Sequence, residues 1–166
     1  MRDANQKWRD FRLMCFAASL ALLVLLATPW LTTWNDGLVK PPQIYSGISL
    51  LDILSAADTS SPMGSAGPWL FRTYLLLALV CLVSPATVAA LAASCAGFAV
   101  TVLIIVIKPD SSPVSPGIEQ IDWSGAPTVA VGIWLVAVCV SMAGWYTRPD
   151  PATGSTPSWT SRSMTE

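Results

Sequence analysis

Few side chains inside the apolar stretches of this 166-residue chain have chemistry to offer: four cysteines (Cys15, Cys81, Cys95 and Cys139) and Arg72. Paired thiols can cycle a disulfide, but no two of these form a C-x-x-C pair and the polar loops hold none. A quinone-linked thiol oxidase is therefore not expected, and the thiols read as small hydrophobes in a packed interior. There is no histidine. That excludes haem held by His, most zinc sites and His proton relays. No Asp, Glu or Lys falls within an apolar stretch. Intramembrane acids are the usual mark of ion coupling, so a proton-driven exporter of the small four-span kind is not expected either. No P-loop, glycine-rich phosphate cradle or nucleophile elbow occurs. A net charge of −1 without a basic stripe argues against nucleic acid as a partner. The chain is expected not to be an enzyme and to need no cofactor or metal.

The elements that hold these residues are legible from composition. Hydrophobic residues make up 53% of the chain and charged ones 11%, against about 25% charged in soluble domains; mean hydropathy is +0.56. The expected fold is all-α: a four-helix transmembrane bundle spanning about 12–31, 69–84, 86–107 and 126–146, in a single domain over 1–146. The polar segment 147–166 is expected to be a disordered cytoplasmic tail.

The count depends on "LVSPATVAA" (82–90), inside an apolar run from Trp69 to Ile107. As one straight helix that run would be about 58 Å long, nearly twice a hydrocarbon core of about 30 Å. Ser84 suits an N-cap and Pro85 a first helical position, so the run is expected to fold into a hairpin there. The first stretch is expected to be a retained anchor, because no small-x-small cleavage site follows it. Six of the nine Lys and Arg lie in the N-terminal segment up to and including Arg12, at the edge of the first span, or in the C-terminal tail. The positive-inside rule then puts both termini in the cytoplasm of a bacterial inner membrane.

Several residues have expected roles short of catalysis. Trp30, Trp34, Trp69 and Trp123 fall at the outer span ends and Trp8 and Trp145-Tyr146 at the inner ends, as interfacial anchors do. Trp134 lies within a span and must pack against a neighbour or face lipid. Arg72 lies about one turn inside the outer boundary, where it can snorkel and contact a lipid headgroup. Ala89, Ala93 and Gly97 recur every four residues, as do Ala137 and Ser141, giving small-residue faces for close approach to another helix of this chain or of a partner. In the first loop, Leu50, Ile53, Leu54 and Ala57 have helical spacing, with Ser49 and Asp52 placed as a capping box. They predict a short amphipathic helix on the outer surface. The last loop, rich in Pro and Ser, is expected to be extended.

The "PW" that closes the first stretch and the "SGISLLDIL" loop after it resemble the small Ala/Val/Pro/Trp-rich four-span proteins of actinobacteria. The resemblance implies an accessory subunit of a larger envelope machine, such as a mammalian-cell-entry-type lipid importer or a respiratory supercomplex, and assigns no active residue. The expected function is a non-catalytic accessory or scaffold subunit whose partners are other integral membrane subunits and lipids. The alternative is a carrier of lipid or of a small apolar ligand. A membrane enzyme is the third class, and the chain supplies no set of polar residues converging at one depth.

Overall fold

The structure, a computed structural model, describes residues 2–35, 43–50, 62–107 and 118–147. Among these are four long helices, α1 (Arg2–Leu25), α2 (Pro62–Val83), α3 (Val88–Val106) and α4 (Ala126–Tyr146), and three strands, β1 (Pro29–Asn35), β2 (Gln43–Ser46) and β3 (Ile118–Trp123). Three helices are long and apolar enough to cross a membrane, over Ser65–Val83, Val88–Val106 and Ala126–Tyr146. At 1.5 Å per residue, 19 residues give about 28 Å, close to the thickness of a hydrocarbon core. This is the build of a multi-pass membrane protein.

α1 departs from the expected 12–31 span. Its first half is charged, and its helix stops at Leu25. Thr28 Oγ1 and Trp30 Nε1 both donate to the Leu25 carbonyl, at 2.6 and 2.8 Å, alongside the Thr28 amide, so that the chain turns back on the helix end. Pro29 then begins a strand. Trp30 and Leu31 are as apolar as a span demands, but their backbone is in the sheet.

The helices pack in a ring, α1 on α2, α2 on α3, α3 on α4 and α4 on α1. Contacts fix each neighbouring pair as antiparallel: Tyr74 Oη reaches the Leu22 carbonyl, Cys81 reaches Ser94, Gly97 meets Trp134, and Cys15 meets Ser141. Buried positions advance by alternating fours and threes. They run 15, 19, 22, 26 at α1; 67, 71, 74, 78, 81 in α2; 90, 94, 97, 101, 104 in α3; and 130, 134, 137, 141, 144 in α4. That period keeps one seam facing the partners and is the basis of left-handed knobs-into-holes packing.

The hairpin between α2 and α3 sits at Ser84–Thr87, but its cap is not the one expected. Thr87 is the N-cap, its hydroxyl accepting from the Ala90 amide at 3.1 Å. The Ser84 hydroxyl instead donates back to the Val80 carbonyl. Pro85 is followed by Ala86 at φ 59, as in a turn with proline second and a left-handed residue third. A whole turn therefore separates the helices, and α3 starts at Val88 instead of residue 86.

The three strands form an antiparallel sheet of order β2-β1-β3. It caps the end of the bundle where α1 and α3 finish and α2 and α4 begin. Leu31 pairs with Tyr45 on one side and Trp123 on the other, an apolar row across the sheet. Strand alternation would send neighbouring Trp30 away from the bundle. The register shifts between Pro29 and Leu31, and both Trp30 and Leu31 are buried; the irregularity is the device that turns both inward. Ser124 ties β3 to β1 by donating through its hydroxyl to the Pro29 carbonyl and through its amide to the Trp30 carbonyl.

Of the expected amphipathic helix, residues 47–50 are helical. Ser46 is positioned as the cap, accepting from the Ser49 amide at 3.1 Å, so the helix starts three residues before the expected Ser49. Leu50 is buried. Ile53, Leu54 and Ala57 lie outside the described residues, as do the tail from 148 and most of the last loop, whose end forms β3.

Candidate functional site

The seam between the helices is where this chain concentrates its distinctive side chains. The surface of the bundle carries large aliphatic groups, among them Leu20, Leu76, Leu103 and Val136, while the buried polar residues described are Ser19, Ser94, Thr101 and Ser141. A soluble bundle has the opposite arrangement. In lipid, apolar burial drives no association, so small residues that permit close approach occupy the seam and large ones face the solvent of acyl chains.

At the sheet end the seam is aromatic. Trp30 meets the edges of Phe71 and Tyr74 at ring centroid distances of 5.3 and 5.6 Å, and Tyr74 meets Trp134 at 5.6 Å, 84° between planes. These are edge-to-face geometries, each about 0.5–1.5 kcal/mol beyond simple burial. All four rings are fully buried. The column spans β1, α2 and α4 and so links the sheet to the helices. Trp30 is thus not an interfacial anchor, in contrast to Trp69, which is 67% exposed. Trp145 and Tyr146 are also exposed, Trp8 and Trp123 are partly buried, and the Trp34 side chain lies outside those described.

Gly97 makes the column possible. A Cβ placed on it would lie 2.5–2.6 Å from three atoms of the Trp134 indole, which real Cβ atoms do not approach. Glycine here is required by space: the indole fills the volume any side chain would occupy. Thr101, one turn on, donates to the Gly97 carbonyl at 2.8 Å. The Trp134 Nε1 is buried with no hydrogen-bond partner among the described residues.

Toward the other end the seam holds small and weakly polar groups. Cys15 Sγ and Ser141 Oγ lie 3.4 Å apart between α1 and α4, and Cys81 Sγ and Ser94 Oγ lie 3.4 Å apart between α2 and α3. Ser19 and Ser94 donate to the carbonyls four residues earlier, at 2.8 and 2.7 Å, which satisfies their hydroxyls within the helix. Below them Ala86 packs on Gly144, where an added Cβ would come within 2.9 Å of the Ala86 Cβ. Among the described residues no formal charge enters the seam, and its thiols and hydroxyls are engaged in hydrogen bonds that join or stiffen helices. The arrangement holds helices in register.

The residues singled out from the sequence divide. Ala93, Gly97, Ala137 and Ser141 lie in the seam; Ala89 is exposed, one position off the buried row through Ala90. A strict four-residue strip drifts about 40° per step around a helix of 3.6 residues per turn, so it leaves the seam within two steps. Cys95 and Cys139 point outward, Cys15 and Cys81 inward. Arg72 is exposed, with its guanidinium 5.5 Å from the Trp69 ring centroid. Phe71, Tyr74 and the seam hydroxyls Ser19, Ser94 and Thr101 were not anticipated. Their signal was the four-three spacing, hidden because alanines populate both sides of α3. Comparison with family models, curated proteins and solved structures finds no match for this chain.

Proposed function

We propose that this chain is a non-catalytic accessory or scaffold subunit of a larger complex in a bacterial inner membrane, with other integral membrane subunits and lipids as its partners. Four spans cross the membrane, α1 included, and both termini are cytoplasmic. The observation that carries this reading is the use of the interior: its aromatic rings, thiols and hydroxyls are committed to contacts between helices, and Gly97 is filled by Trp134. A site for chemistry needs groups held ready for a substrate, whereas these hold one another. The outward faces of all four helices carry large apolar residues on which membrane partners can pack. For α1 these are Leu13, Met14, Phe16, Leu20 and Val24, which supports its placement in the bilayer with the others.

Purification of the full chain in mild detergent, with mass spectrometry of what co-elutes, tests the proposal. Stoichiometric membrane proteins are expected. Recovery of the chain with bound lipid and no protein partner would replace the scaffold reading with a carrier. The topology is tested separately by single cysteines placed in 32–68, 108–125 or the tail, on a background lacking the native four. The two loops should react with an impermeant reagent in intact cells and the tail should not.

A further inference from the structure

Arg72 is the single formal charge in the three spanning stretches Ser65–Val83, Val88–Val106 and Ala126–Tyr146. It sits on the outer face of α2, exposed, one turn beyond exposed Trp69 and one turn before exposed Leu76. Helical side chains lean toward the N-terminus of their helix. In α2 that direction leads to the sheet end of the bundle, and the Arg72 guanidinium does lie over the Trp69 ring, 5.5 Å from its centroid. The cation thus lies against the indole on an exposed surface of the helix. No carboxylate forms an ion pair with it among the described residues. A guanidinium near the end of a spanning helix, free to snorkel outward, is well placed to meet an anion in the plane of the interface. A phosphodiester is that anion, and its paired oxygens match the guanidinium fork.

We propose that Trp69 and Arg72 form a binding site for the phosphate of a membrane glycerophospholipid, with Arg72 donating to the phosphate oxygens, Trp69 fixing the guanidinium plane, and the acyl chains lying along Leu76 and Leu79 on the same helix. The proposal is independent of any protein partner. It requires only that α2 spans the membrane.

The test is native mass spectrometry of the purified full chain, titrated with phosphatidylglycerol in a non-ionic detergent. The wild type should retain a phospholipid that R72Q retains about tenfold less well, as expected for loss of a charge-assisted hydrogen bond. R72K should fall between them, keeping the charge without the fork, and W69L should weaken retention with Arg72 intact. Arg12→Gln, at the opposite end of the bundle and also beside a tryptophan, should leave this lipid in place. Millimolar inorganic phosphate should not displace it, because the acyl chains contribute to binding. Equal retention by wild type, R72Q and W69L would overturn the site, and displacement by inorganic phosphate would overturn its assignment to lipid. If R72Q fails to fold, the ordering of R72K and W69L below wild type decides the matter.

Discussion

The two ends of the helical seam solve the same problem with different materials. At the sheet end four aromatic rings from β1, α2 and α4 fill the centre, and one helix, α3, makes room by having no side chain at Gly97. At the hairpin end the centre is closed by Ala86 against Gly144, and by thiol and hydroxyl contacts of 3.4 Å. The first end is held by dispersion over large surfaces of fixed shape, the second by close backbone approach with weak polar contacts. The aromatic end should therefore be intolerant of volume changes. The small end should tolerate loss of any one polar contact.

The largest effect is expected from Gly97→Leu. A side chain there displaces the Trp134 indole, and loss of the packed helices by about 4 kcal/mol or more is expected, the range reached by severe core disruption. Reversible unfolding in mixed micelles followed by near-UV circular dichroism measures it. Gly97→Ala sharpens the point: it should cost about 1–3 kcal/mol through overpacking. Combining it with Trp134→Phe should recover part of that loss, because the smaller ring vacates the Cβ position. A double-mutant cycle with no coupling between the two sites would break the account of this layer.

Trp30→Leu comes next. It removes two edge-to-face contacts and the hydrogen bond to the Leu25 carbonyl. A cost of about 2–3 kcal/mol is expected, with hydrogen exchange rising in β1 and at the C-terminal turn of α1 before it rises in α3. Uniform loss of protection over all helices would mean that Trp30 is not the link between sheet and bundle.

Ser141→Ala should cost about 0.6 kcal/mol, the mean for polar contacts between membrane helices. The same measurement on Cys15→Ala should give a similar value, and a result above about 2 kcal/mol for either would show that the small end depends on its polar contacts as the aromatic end depends on its rings.

The smallest effect on the isolated chain is expected from Ala89→Leu. Ala89 is exposed where Ala93 and Gly97 are not, so stability should change by less than about 0.5 kcal/mol, as for surface sites. Loss of a co-purifying subunit in this variant, with stability retained, would assign that exposed position to a partner.

Much of the architecture was legible because each signal is local. Runs of about 20 apolar residues follow from the thickness of a bilayer, and the break at Ser84-Pro85 follows from proline geometry. That Ser65–Val83, Val88–Val106 and Ala126–Tyr146 are long and apolar enough to cross a membrane needed nothing beyond these. Caps were less legible, since Ser46, Ser49, Ser84 and Thr87 are chemically equivalent as hydroxyls. Only the chain path beyond each decided that Ser46 and Thr87 would hold the amides.

The sheet and the seam belong to tertiary structure. "PWLTTWN" has no strand pattern strong enough to outweigh an apolar run read as the end of a span. Pairing with a segment just over 90 residues away, Leu31 opposite Trp123, makes it a strand. Likewise the sequence by itself marks Gly97 as small and Trp134 as large and inside a span, while their match exists only once α3 and α4 are antiparallel and in register. Local composition determines what a segment can enter, bilayer or water, because transfer free energy is a property of each residue. Which residues share a layer depends on helix phase and register, which no single segment contains.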